Sequence, residues 1–173
     1  MTNITFIDLE VNPVNRQILD MGAIRNDGVP FHANSPAQFI QFITQTEYIG
    51  GHNILNHDLK YIIPLFQQTG YIQPKTIDTL YLSPLLFPAK PYHHLLKDDK
   101  LQTDSLSNPL NDSMKAHELF LAEVEAFGSL DEDLKYIYFS LLHPIAEFSS
   151  FFDFIAYAIP PGKYDNPETL IRR

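Results

Sequence analysis

The stretch Ile4-Thr5-Phe6-Ile7-Asp8-Leu9-Glu10 decides the reading of this chain. It is rich in β-branched and aromatic residues and alternates, which predicts a strand. Side chains two apart on a strand share a face, so Phe6, Asp8 and Glu10 point the same way, the two carboxyls roughly 6–7 Å apart along the backbone. An apolar row that ends in two acids can place both at a strand terminus. There they can ligate one hard divalent ion and bridge to a second. Taken alone, the pair is as readily a solvated strand end.

Outward from this strand the chain reads as a hairpin series. Asn12-Pro13-Val14-Asn15 is a turn, and Gln17 to Arg25 is a second strand, antiparallel to the first. Asn26-Asp27-Gly28 is a hairpin turn into a short strand from Val29 to Ala33. Ser35-Pro36-Ala37-Gln38 carries a cap, a first-turn proline and a glutamine three residues on. Phe39, Ile40, Phe42 and Ile43 then form one helical face. Tyr48-Ile49-Gly50-Gly51 reads as a buried strand. Asn56 caps a helix running to about Gln68, with Gly70 as its stop. Thr76 to Leu80 reads as a strand end, followed by the proline-rich run with Pro84, Pro88 and Pro91 and a short helix near His93–Lys97. Further helices are expected from Asn111 to about Phe127, over Leu130–Leu142 and over Ile145–Ala158, and an extended tail from Pro160. Hairpin-linked strands followed by strands alternating with helices predict an α/β mixed sheet with helices on both faces. The expected organisation is a core over 1–128, a helical extension over 129–159 and a tail over 160–173.

Composition narrows the classes. The 173 residues, 45% hydrophobic and 13% aromatic, suit one globular domain. Without cysteine, thiolate metal sites and disulfides are excluded. The formal charge of −9, from 21 acids against 12 bases, does not attract nucleic acid by bulk electrostatics, so a phosphate ligand needs local cations. The start has no basic stretch and predicts no signal peptide. No apolar run reaches the roughly 18 residues of a span, so no membrane partner is expected, and a cytoplasmic setting is. The end at Leu170-Ile171-Arg172-Arg173 supplies no finishing element, as a piece of a longer chain would. The aromatics of 130–158 either pad the core or form a docking surface.

Two more segments end in acids. Gly51-His52-Asn53-Ile54-Leu55-Asn56-His57-Asp58 reads as strand, turn and helix start, with Asp58 in the first turn where the helix dipole favours a carboxylate. Asn108-Pro109-Leu110-Asn111-Asp112 opens a later helix. Each by itself reads equally well as capping. Together, Asp8, Glu10, Asp58 and Asp112 all stand at element termini, where side chains from separate elements can converge.

This set of segments resembles the exonuclease motifs of the DEDD (DnaQ-like) 3′–5′ exonuclease superfamily. Phe6 to Glu10 is similar to its first motif, and Ile18 to Ile24 to the strand that follows. Gly51-His52-Asn53 through Asp58 resembles the second motif, Ile77-Asp78-Thr79 the next strand, and Asp112 the last aspartate. The resemblance covers about residues 4–127. Tyr92 to Phe120 also resembles exonuclease domains fused to RecQ-type helicases. It implies a ribonuclease-H-like mixed five-stranded sheet and a metal-dependent 3′–5′ exonuclease, acting on DNA rather than RNA. Asp8, Glu10, Asp58 and Asp112 would hold two Mg²⁺ or Mn²⁺ ions, with Leu9, His52 and Asn53 near the terminal nucleotide. The implied partners are a single-stranded nucleic-acid 3′ end and a helicase domain or other protein docked on the C-terminal helices. The family carries a His or Tyr base shortly before its last aspartate, whereas Ser107 and Asn108 stand there in this chain. Three readings follow: an inactive or weak nucleic-acid-binding or docking module, a substitute base such as His93 or His94, or cleavage without a dedicated base.

Overall fold

The alternation in the first strand sorts the molecule into two halves. In β1 (Ile4–Val11) Ile7 and Leu9 point to one face, Ile4 and Phe6 to the other, and all four are buried. The computed structural model describes residues 3–95, 108–159 and 166–171. Two hairpin-linked strands follow, β2 (Ile18–Arg25) and β3 (Pro30–Ala33), both antiparallel to their neighbours. After α1 (Pro36–Ile43), β4 (Tyr48–Gly51) lies parallel to β1; after α2 (Leu59–Thr69), β5 (Lys75–Asp78) lies parallel to β4. The five strands run in the order β3-β2-β1-β4-β5, the ribonuclease-H-like arrangement. Helices α3 (Thr79–Leu86), α4 (Pro109–Ser129), α5 (Glu132–Leu142), α6 (Ala146–Phe154) and α7 (Pro167–Ile171) complete the described chain.

Each face of the sheet has its own core. On one, Ile7, Leu9, Met21 and Ile49 meet Phe39, Ile40 and Ile43 of α1 and Leu59, Ile62 and Phe66 of α2. On the other, Ile4, Phe6 and Ile77 meet Ala116, Phe120 and Phe127 of α4 and Phe151 and Phe152 of α6. The aromatics of 130–158 fill this second core, where Phe127 meets Phe151, Phe152 and Tyr157 edge to face at 5.4–5.7 Å. Such pairs add about 0.5–1.5 kcal/mol each beyond area burial.

Several expectations need correction, each for a local reason. The chain from Thr79 to Leu86 is a helix despite Pro84, because the Asp78 carboxylate caps it by accepting the Leu80 N–H at 2.9 Å. His93 to Leu95 are not helical, and residues 96–97 of the helix expected there lie outside the described residues. Helix α4 starts at Pro109 because Asn108, not Asn111, accepts the Leu110 N–H at 3.0 Å. Helix α2 starts at Leu59, later than expected, since Asn56 donates to the Asn53 side chain and stays in the preceding turn. Helix α6 stops at Phe154, before a positive-φ Ala156. The expected extended tail contains α7, whose first turn is held by Asn166 accepting the Glu168 N–H.

One contact positions everything at the end of the sheet. Gly22 on β2 pairs directly with Asp8 on β1, and the backbone of Pro109 and Leu110 rests on it. A Cβ at position 22 would collide with that backbone, which cannot swing away as a side chain can. The first turn of α4 is thereby seated over the strand pair.

A second singular group lies in the α4 core. Glu123 is fully buried between Phe120 and Phe127 on the same helix face, and neither carboxyl oxygen has a hydrogen-bond partner among the described residues. Burial, with the Asp78 charge nearby and Lys90 only partly opposing it, pushes its pKa up to about 9, so it is held neutral at pH 7.

Gly22→Ala should destabilise the fold by about 1–3 kcal/mol, the usual cost of forced overpacking, and chemical denaturation measures it. Glu123→Gln should gain stability relative to the parent as pH rises. The folded carboxyl keeps its proton to about 9 while the unfolded one releases it near 4.5, so the parent loses stability across that window. The difference should be near zero at about pH 4.5 and grow by at most about 1.4 kcal/mol per pH unit, read from denaturation midpoints at several pH values.

Candidate metal centre

Asp8 and Glu10 leave β1 on the Phe6 face, where the apolar row runs out and α4 begins. Asp112 lies in the first turn of α4, which the contact at Gly22 holds over β1. The three half-buried carboxylates converge: each offers an oxygen, and these oxygens all lie within 4.8 Å of one another. Carboxylates this close repel unless a cation or a proton intervenes. An all-oxygen donor set suits a hard ion such as Mg²⁺ or Mn²⁺ rather than a thiolate- or imidazole-seeking one. The trio lines a cleft of about 320 Å³ whose walls also include Leu9, His52, Asn53, His57 and His94.

Asp58, the fourth predicted ligand, lies outside this trio. It is 1% exposed, and its Oδ1 accepts the Leu9 N–H at 3.0 Å and lies 3.5 Å from His57 Nδ1. Burial raises its pKa, against the His57 and Leu9 hydrogen bonds that lower it. From there Asp58 braces the backbone between Asp8 and Glu10 through the Leu9 amide. The same bond occupies the Leu9 amide, so that amide is not offered to a ligand, and the Leu9 side chain is buried in the α1–α2 core. His57 is exposed and forms part of the cleft wall. Its bond to Asp58 raises its pKa.

The turn carrying His52 and Asn53 is held by a residue that sequence reading passed over. Asp78 is 1% exposed at the end of β5 and accepts N–H bonds from Asn53 at 2.8 Å, Leu55 at 3.1 Å and Leu80 at 2.9 Å. Burial raises its pKa and the three amides oppose that rise. Asn53 has a left-handed backbone, φ 66°, which asparagine tolerates better than most residues. His52 Nδ1 bonds the Thr79 hydroxyl at 2.9 Å, while its Nε2 is buried without a hydrogen-bond partner among the described residues. Burial, with His94 acting in the same direction, lowers its pKa to about 4, so the ring is neutral at pH 7. Ile77-Asp78-Thr79 was visible as a strand end that resembles a family strand, but its hold on the turn was not, because Asn53 and Leu55 lie more than twenty positions away in the chain.

The two candidate base histidines separate. His93 Nδ1 bonds Ser83 Oγ at 3.0 Å, whereas His94 lines the acidic cleft. Asn108 is spent as the α4 cap, and Ser107 lies outside the described residues. His117 stacks on Phe6 at 5.1 Å, and burial lowers its pKa.

No family model matches the chain. No curated protein matches it. Among solved structures it is similar to the family B DNA polymerase from the hyperthermophilic archaeon Pyrobaculum calidifontis, at 11% identity and a TM-score of 0.49. The match covers 73% of this chain and 25% of the polymerase chain, so this chain spans about a quarter of that protein. No described helix is long and apolar enough to cross a membrane.

Mn²⁺ should bind the wild-type chain and raise its melting temperature, and Asp112→Asn should remove most of that increment. Loss of free Mn²⁺ signal on titration with protein, measured by electron paramagnetic resonance, checks the binding directly.

Proposed function

We propose that the chain is a metal-dependent 3′–5′ exonuclease that hydrolyses the terminal phosphodiester of single-stranded nucleic acid, DNA in preference to RNA. The observation that carries this reading is the meeting of Asp8, Glu10 and Asp112 in one cleft at the end of β1. Bound there, Mg²⁺ or Mn²⁺ supplies charge neutralisation at the phosphate and a more acidic attacking water. Asp8, Glu10 and Asp112 would hold the ion or ions, with Asp58 as the fourth carboxylate beside them; Asp58 also keeps the Asp8–Glu10 backbone fixed through the Leu9 amide. The trio balances the charge of one ion most directly; the second ion that the family resemblance implies would draw on the phosphate oxygens as well.

His52 and Asn53 form the wall on which the terminal nucleotide rests, pinned by Asp78. His94 and His57 are the described imidazoles of the cleft besides the buried His52, and His94 is assigned the proton acceptor that Ser107 and Asn108 cannot supply. A second reading, a module that binds a 3′ end without cutting it, is favoured by Asn108, which stands before Asp112 as a helix cap with no titratable group.

A 5′-labelled oligonucleotide incubated with Mn²⁺ or Mg²⁺ should shorten one nucleotide at a time from its 3′ end. Asp8→Ala should abolish this, and His94→Ala should lower kcat by about 10²-fold or more. An oligonucleotide that binds yet stays intact at high enzyme concentration with both metals would decide for the binding module.

A further inference from the structure

A second hollow adjoins the acidic cleft. It is about 170 Å³ in volume, and its walls include Lys90, Tyr92, His93, His94 and Leu95. His94 and Leu95 belong to the walls of both, so one short segment lines the two hollows. Tyr92 is 80% exposed, an unusual state for a large aromatic side chain that follows a stiff proline. Its neighbours are held in place. The His93 ring is fixed by Ser83 Oγ at 3.0 Å, and the Lys90 ammonium sits over the Phe87 ring at 3.9 Å from its centroid.

We propose that this hollow takes the second nucleotide of a single-stranded polynucleotide, its base stacked on Tyr92 and its phosphate drawn to Lys90, while the terminal nucleotide lies in the acidic cleft. The assignment rests on the reading of that cleft as the seat of a nucleic-acid 3′ end. Three observations support the class of ligand. An open aromatic face beside a cation is how sequence-tolerant single-strand sites are built, since every base has a π-face and every linkage a charge. A chain with a net charge of −9 repels a polyanion over most of its surface, so a lysine at the rim of the cleft has an outsized effect on where a strand can lie. The linkage between the first and second nucleotides would cross the wall that His94 shares between the two hollows, which places that imidazole beside the bond to be cut. A paired base, its faces already covered by its neighbours, cannot stack on Tyr92, so the hollow selects unpaired ends.

The test compares affinities of the full chain in Ca²⁺, an oxygen-seeking ion, for a fluorescein-labelled thymidine tetranucleotide and, by competition, for thymidine 5′-monophosphate. The tetranucleotide should bind the parent at least about tenfold more tightly than the mononucleotide. Tyr92→Ala should shrink that ratio by about 5-fold or more, in line with the loss of one stacked base. Lys90→Ala should flatten the salt dependence of tetranucleotide binding. Both side chains are exposed, and an unchanged melting temperature confirms that the variants fold. A ratio unaltered in Tyr92→Ala overturns the inference, as expected if Tyr92 instead contacts a protein. Mononucleotide binding without any gain for the tetranucleotide also overturns it, leaving the reading of the cleft intact. Failure of both ligands to bind the parent overturns the two together.

Discussion

The arrangement of the three clustered acids depends on one steric fact: position 22 has no side chain. Gly22 faces Asp8 across the β1–β2 ladder, and the backbone of Pro109–Leu110 occupies the space that any other residue would fill. Helix α4 can therefore start in direct contact with the sheet, and its first turn delivers Asp112 to the end of β1. Without that approach the two strand acids would face solvent, and the third would sit a side-chain layer farther off. The constraint is purely one of volume, yet it fixes where three negative charges meet.

The acids around the cleft divide by burial into two kinds with different work. Asp8, Glu10 and Asp112 are half-buried and share one space, which is what an ion-holding set requires. Asp58 and Asp78 are almost fully buried and satisfied by backbone amides, Asp58 by Leu9 and Asp78 by Asn53, Leu55 and Leu80. These two act as fasteners. Asp58 ties α2 to β1, and Asp78 ties the β5–α3 corner to the turn after β4. A buried carboxylate that accepts several N–H groups is a costly way to hold a loop, but it holds several peptide planes at once.

Much of this was legible in the sequence, and what was missed shares a cause. The strand alternation at Phe6–Glu10, the cap signals at Ser35-Pro36 and the stop at Gly70 are local, and they marked out the strands, the helices and the mixed α/β class, while the family resemblance pointed to Asp8, Glu10 and Asp112 meeting. The brace that Asp58 supplies was hidden because it is a bond to Leu9, forty-nine positions away. Asp78 was hidden for the same reason, and with it α3, whose cap it supplies against the breaking tendency of Pro84. Asn108 rather than Asn111 caps α4 because the proline between them favours the first helical position, a local signal that the acid at 112 obscured. Gly22 could be read as an ordinary strand glycine, since nothing nearby in sequence announces the helix that lands on it.

Helix α4 belongs to the aromatic core through Ala116, Phe120 and Phe127 and to the cleft through Asp112. The opposite core, built on α1 and α2, contributes none of the three clustered acids. A fluctuation that lifts α4 from the sheet thus dissolves one hydrophobic face and dismantles the cation seat in a single event. A cation bound in that seat would therefore also protect the α4 amides from solvent exchange.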